Sequence, residues 1–293
     1  MSETLLIYNP AAGRFRISKD TDYIIAELKN NGYKVDLWST EGDGSAQKAA
    51  EYGAREQYDY IIAMGGDGTL HQVVNGLEGF ESKPCLGIIP YGTTNDFANH
   101  FNIPLNPKQA LEIIFKNKVQ FVDLGKANDE YVIYVLAGGG LPSVSYQATR
   151  AEKKLFGKLA YIFRGAKNIL TYKPFHLKIT TDNYLIEDNV SLFVISNVSC
   201  IGGIKNLIPD ADPSDGYFEV LVVKDVDFTD ALDIADAILN RSTFQHPKVS
   251  TFKANNLKIE GCEELRLTYD GEAGDFLPVN FSVIPKAIKV LVP

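Results

Sequence analysis

Ala63-Met64-Gly65-Gly66-Asp67-Gly68-Thr69-Leu70 is the run in this chain best suited to chemistry. It joins a short apolar run, Tyr58–Met64, to a segment where Leu70, Val73, Val74 and Leu77 recur at helical spacing. Glycines let backbone N–H groups approach a phosphate with no Cβ in the way. A helix opening near Thr69 and running through His71 adds the positive end of its dipole. Asp67 would repel a bare phosphate. It makes sense if it holds Mg²⁺, directly or through water, beside that phosphate. The competing reading is a glycine-rich turn with an incidental acid; the whole five-residue run at a strand-to-helix junction argues against it. There is no GxxxxGK[ST] loop, and the run lacks the third glycine of the dinucleotide fingerprint.

Two further loops of small residues follow short apolar runs. Asn9-Pro10-Ala11-Ala12-Gly13, with Arg14 and Arg16 behind it, ends the first. Pro90-Tyr91-Gly92-Thr93-Thr94-Asn95-Asp96-Phe97 follows Leu86–Ile89. Each alone is an ordinary turn. Three such loops on one sheet edge form a cradle of nucleotide size, because open α/β sheets bind ligands beyond the C-terminal ends of their strands. Near the C-terminus, Asp270-Gly271-Glu272 reads by composition as a β-turn with solvated acids. Pro209-Asp210-Ala211-Asp212-Pro213-Ser214-Asp215-Gly216-Tyr217 reads either as a hairpin with acids on the water side or as an oxygen-donor loop.

The elements that must position these residues change character along the chain. Through residue 118, strand and helix patterns alternate, with Ser45 a candidate cap for the second helix and Asn106-Pro107 opening a later one. Such alternation implies βαβ units and an open parallel sheet. From Val119 onward, short strand-like runs separated by Gly, Asn, Asp and Pro predict an antiparallel β domain. Lys248–Glu260 reads as one strand, and Thr229 as the cap of a helix through Asn240. The expected domains are 1–118, α/β, and 119–286, all-β, with a last strand at 287–293 free to return to the first.

The chain has 293 residues, 29 Lys+Arg against 37 Asp+Glu, and 45% hydrophobic residues. That length suits about two domains with sizeable cores. A net charge of −8 argues against a nucleic-acid binder working through bulk positive charge. Cys85, Cys200 and Cys262 form no CxxC, so neither a disulfide framework nor a thiolate zinc site is supported. The four histidines show no HExxH pairing, and there is no GxSxG elbow. The N-terminus reads as a first strand rather than a signal peptide, and no run approaches a bilayer span. A reduced, cytoplasmic protein is expected.

Taken in order, NPAAG at 9–13, GGDGT at 65–69, PYGTTNDFA at 90–98, Gly202-Gly203 with the 209–216 loop, and Asp270-Gly271-Glu272 resemble the diacylglycerol kinase catalytic-domain family of soluble lipid kinases. Sphingosine kinases share that domain. The resemblance spans essentially the whole chain and implies a Rossmann-like first domain with a β-sandwich second. It implies ATP contacts from residues 9–13, Thr40, 65–71 and Thr93, within a cradle that also holds Asn95 and Asp96. It implies Glu272 as the base that takes the acceptor proton, with Asp270 near the metal or bracing the loop. Asp123 would join an Asp67–water–Mg²⁺ network. Asp212, Asp215 and Tyr217 would hold a structural Mg²⁺. The implied reaction moves the γ-phosphate of ATP to diacylglycerol, giving phosphatidic acid for phospholipid metabolism. The expected partner is lipid at a membrane surface, met transiently by a cytoplasmic protein; a homodimer stays open.

Gly138-Gly139-Gly140-Leu141-Pro142-Ser143 departs from the family pattern, which carries an Asp-Ala there. That leaves the acceptor open: a sphingoid base, phosphatidylglycerol or NAD are alternatives, as is a nucleotide-binding regulator without turnover. NAD is disfavoured by Asp96, where the NAD kinases carry an Asn-Glu pair. A helix at Arg150–Lys173 carries seven basic residues against Glu152 alone and an apolar face through Leu155, Leu159 and Ile162. It reads either as a dock on an anionic bilayer or as a helix packed on the β domain.

Overall fold

The computed structural model describes residues 1–10, 17–139, 173–205, 207–240 and 246–293. Ala11–Gly13, Arg14, Arg16, the 140–143 departure and the basic segment 150–172 lie outside the described residues. The chain packs as two compact units. One comprises Met1–Leu124 with Ile284–Pro293, the other Gly125–Val283.

The first unit alternates β1 (Ser2–Tyr8), α1 (Ile17–Asn30), β2 (Tyr33–Ser39), α2 (Ser45–Arg55), β3 (Tyr60–Gly65), α3 (Asp67–Asn75), β4 (Cys85–Pro90), α4 (Asp96–His100) and α5 (Pro107–Lys116). β5 (Val119–Ala127) begins here and crosses into the second unit. The strands pair in parallel in the order β2-β1-β3-β4. The end of the last strand, β15 (Val279–Leu291), adds to β4 in parallel, with Lys289 opposite Cys85. β3 and β4 bury every residue but Tyr60, as strands covered on both faces must. Ile24, Leu28, Val73 and Val74 are fully buried, which places the apolar stripes of α1 and α3 on the sheet.

Local chemistry sets the helix ends. Asn106 accepts from the N–H groups of Lys108 and Gln109, and Pro107 fills the first turn of α5. Ser45 does not cap α2: the cap is Gly44, at φ 73°, and Ser45 is the first helical residue. Its hydroxyl instead accepts from the Glu41 N–H at 3.3 Å.

The second unit contains β6 (Glu130–Val132), β7 (Val135–Gly139), β8 (Phe175–Thr180), β9 (Leu185–Ser196), β10 (Phe218–Lys224), α6 (Phe228–Asn240), β11 (Val249–Ala254), β12 (Asn256–Gly261), β13 (Arg266–Tyr269) and β14 (Glu272–Phe276). Among the described residues of this unit the strands pair antiparallel: β14-β13-β7-β9-β8-β12-β15, with β9 also pairing β10 and β10 pairing β11. The core centres on Phe193, Phe218, Phe281 and Tyr269, with the Phe218 and Phe281 rings 5.1 Å apart, edge to face.

Two expectations need correcting in this unit. Lys248–Glu260 is two strands, broken at Asn255, because β11 pairs with β10 while β12 pairs with β8 and β15. Helix α6 is capped by Asp227, not Thr229. Asp227 accepts from the Asp230 N–H at 2.9 Å, and Asp230 accepts from the Asp227 N–H at 3.2 Å, a reciprocal capping box. Asp270-Gly271 is the turn that its composition suggests, a tight hairpin with both residues at positive φ, 54° and 90°; Glu272 opens β14, and Asp270 is buried rather than solvated.

Candidate active site

Asp67 is the first residue of α3, two residues past the C-terminal end of β3. Its carboxylate points across to the neighbouring loop. Thr94 Oγ1 donates to it at 2.9 Å, and the backbone N–H groups of Asp96 and Phe97, opening α4, donate as well. The acid therefore ties the starts of two helices together, where their dipoles favour negative charge. Burial pushes its pKa up to about 6, the neighbouring carboxylate of Asp96 adds to the rise, and the Thr94 hydroxyl and the two amides oppose it.

The glycines meet a packing demand. A Cβ on Gly92 would lie 2.5 Å from the Gly66 Cα, so two loops cross backbone against backbone. A Cβ on Gly65 would lie 2.4 Å from Thr69 Oγ1. Gly65 O accepts from the Tyr91 N–H at 2.7 Å, and Asn9 N–H donates to Met64 O at 3.2 Å. The loops after β1, β3 and β4 are thus sewn together. Gly65, Gly66, Asp67, Asn95 and Ala98 line a cavity of about 10 Å³ between them.

The other residues singled out here fall into distinct places. Thr93 is exposed and Pro10 is exposed; Gly68 is partly exposed, at the start of α3. Asn95 does not reach outward: it sits at φ 48° and closes its own turn, accepting from Gly92 N–H and donating to Gly92 O, both at 2.8 Å. Thr69, Leu70 and His71 are buried along α3. Thr40 is buried and its N–H donates to Tyr8 O at 3.0 Å. Sequence reasoning missed Thr94, which makes the contact that orients Asp67, and Tyr91, whose hydroxyl donates to Asp20 of α1 at 2.7 Å. A signal existed, since Thr94 directly precedes the Asn-Asp pair.

Asp123, on β5 in the same unit, is fully buried and accepts the Lys286 N–H at 2.6 Å. In the second unit Asp270 is buried and receives three backbone N–H groups, from Ile133, Tyr134 and Val135, at 2.9 to 3.1 Å. That bonding braces the 133–135 segment. Glu272 is exposed at the head of β14. Asp212 accepts from the N–H and hydroxyl of Ser214. Asp215 accepts from Tyr217 N–H at 2.9 Å and from Lys253 Nζ at 2.6 Å. Lys253 also lies 3.3 Å from Glu219. Asp212 and Asp215 therefore both have partners within the chain.

For a divalent cation carried in with a phosphate, the first unit has a fitting donor set. Asp67 and Asp96 are close enough for charge repulsion, and Mg²⁺ bound with phosphate needs only one or two carboxylates and keeps its waters. No group of three or more His, Cys, Asp or Glu among the described residues forms an all-protein cage.

Residues 3–127 match the diacylglycerol kinase catalytic domain, and residues 136–292 match the YegS C-terminal NAD kinase beta sandwich-like domain. A diacylglycerol kinase of Staphylococcus haemolyticus is 34% identical over 98% of this chain and 87% of its own. One from Bacillus subtilis is 32% identical over 100% of this chain and 97% of its own. A diacylglycerol kinase crystal structure from Bacillus anthracis superposes with a TM-score of 0.80 at 26% identity, covering 100% of this chain and 97% of that one. With parallel α/β and antiparallel β units, the sewn glycine loops and relatives at this level along its full length, the chain belongs to the diacylglycerol kinase family, lipid kinases that transfer a phosphoryl group to an alcohol.

Proposed function

We propose that this protein transfers the γ-phosphate of ATP, with Mg²⁺, to the free hydroxyl of diacylglycerol at a membrane surface, giving phosphatidic acid and ADP. The observation that carries the reading is the Asp67 carboxylate, fixed by Thr94 and the α4 amides between two loops that cross at glycines. ATP with Mg²⁺ supplies the transferable group and much of the charge neutralisation when bound. The chain supplies position. The loops after β3 and β4 would offer backbone amides to phosphate oxygens, and the starts of α3 and α4 add positive potential. Asp67 and Asp96 are the carboxylates that would hold the cation. Glu272 would accept the proton of the attacking hydroxyl as its oxygen bonds to the γ-phosphorus and the bond to ADP breaks.

The experiment is an ATP-consumption assay of the full chain in mixed micelles, with diacylglycerol, a sphingoid base, phosphatidylglycerol and NAD as separate acceptors. Turnover confined to diacylglycerol supports the proposal. Turnover with another acceptor replaces the substrate. ADP formation with none of them, alongside tight ATP binding, would favour a nucleotide-binding regulator.

A further inference from the structure

The first unit holds a second polar depression, at the other ends of its strands. Glu81, Ser82 and Lys83 precede β4; with Phe121 of β5 and Lys286–Lys289 of β15 they line an open hollow of about 360 Å³. That volume is in the range of small-molecule sites. Three lysines face one glutamate across it, in a chain whose net charge is −8. Lys286 and Lys289 have no ion-pair partner among the described residues. Lys83 Nζ donates to Ala287 O at 3.2 Å, and burial lowers its pKa against the opposing pull of the Glu78 carboxylate.

The backbone adds an independent observation. Lys286 sits at φ 54°, a left-handed conformation that disfavours any residue with a Cβ. It is held there by the fully buried Asp123, which takes its N–H at 2.6 Å. Glycine or asparagine would occupy this position with less strain, and strained positions that persist concentrate where a side chain must be aimed. Beside the lysines, Phe121 is 49% and Val119 42% exposed, two apolar residues on one face of β5.

We propose that this hollow binds a phosphomonoester dianion, with Lys83, Lys286 and Lys289 as its charge partners, Ser82 as a hydroxyl donor and Phe121 as an apolar wall. Lysines are point-charge partners for phosphate, and three on separate segments suit a compact dianion. The same chemistry is carried by soluble phosphate esters and by a lipid headgroup such as phosphatidate.

The test uses the full chain with two arms. In one, inorganic phosphate and glycerol 3-phosphate are titrated by calorimetry. In the other, the protein is sedimented with phosphatidylcholine vesicles with and without phosphatidate. The Lys286→Gln/Lys289→Gln variant should weaken whichever probe binds by about thirtyfold, each lysine contributing about tenfold or less. Loss in the first arm assigns a soluble ester; loss in the second alone assigns the lipid. Lys286→Gly provides a separate readout: relief of the left-handed strain should raise the Tm while binding falls. The proposal is overturned if neither arm shows binding by the wild type, or if both lysine variants bind as the wild type does.

Discussion

Asp67 meets two opposing demands. Its place between two helix starts favours a carboxylate, while burial and Asp96 raise its pKa to about 6 in the absence of a cation. A folded-state pKa above the unfolded value means that the folded chain binds more protons between about pH 4 and 6. Stability therefore falls as pH rises through that window and is level above it. Asp67→Asn removes the charge. In ligand-free protein its Tm at about pH 7 should exceed that of the wild type by about 2–4 °C, with the gap closing near pH 4. Turnover should fall by about 10²–10³-fold. A variant that is active, or less stable at neutral pH, would contradict this account of the site. Glu272 is exposed and makes a different prediction. Glu272→Gln should lower kcat by about 10²–10⁴-fold while ATP affinity, measured by equilibrium dialysis, stays near wild type. Collapsed ATP binding with kcat preserved would reassign the residue.

Between elements, the decisive contacts are those with no room for change. Gly92→Ala drives a methyl to within 2.5 Å of the Gly66 backbone, so the β3 and β4 loops must part. The cost should be about 1–3 kcal/mol in urea unfolding, with a raised KM for ATP. Asp270→Ala leaves three buried amides without an acceptor and should cost about 3 kcal/mol or more. Asp270→Asn keeps the Oδ1 that serves Tyr134 and Val135, and should cost less. Equal losses would mean the amides are not what Asp270 stabilises. Such contacts mark the limit of sequence reading. The βαβ alternation, the α5 cap at Asn106-Pro107 and the GGDGT junction were legible because they are encoded within a few residues. The Gly66–Gly92 crossing, the Thr94–Asp67 bond and the Asp270 brace join segments far apart in the chain, and no local pattern announces them. Ser45 and Thr229 misled for the mirror reason: either could cap a helix, and a neighbour does.

For the whole molecule, the path of the chain matters most. The first unit is built from two separated stretches, since Ile284–Pro293 returns to it and β15 lies beside β4. Ile288, Val290, Leu291 and Val292 are all at most 5% exposed. Losing them would remove about 6 kcal/mol or more of apolar burial, comparable with the whole stability of a typical domain. A chain ending at Ala287 should therefore be insoluble or lack a cooperative transition for the first unit; a normal unfolding curve would refute this. The same return strand orders events during synthesis. The ribosome releases β1 to β4 early, yet the partner for the open edge of β4 is translated about two hundred residues later. Until then that edge is a template for other chains. The intervening segment, continuous in sequence, is complete first, so nascent copies would depend on chaperone cover until the end of β15 emerges.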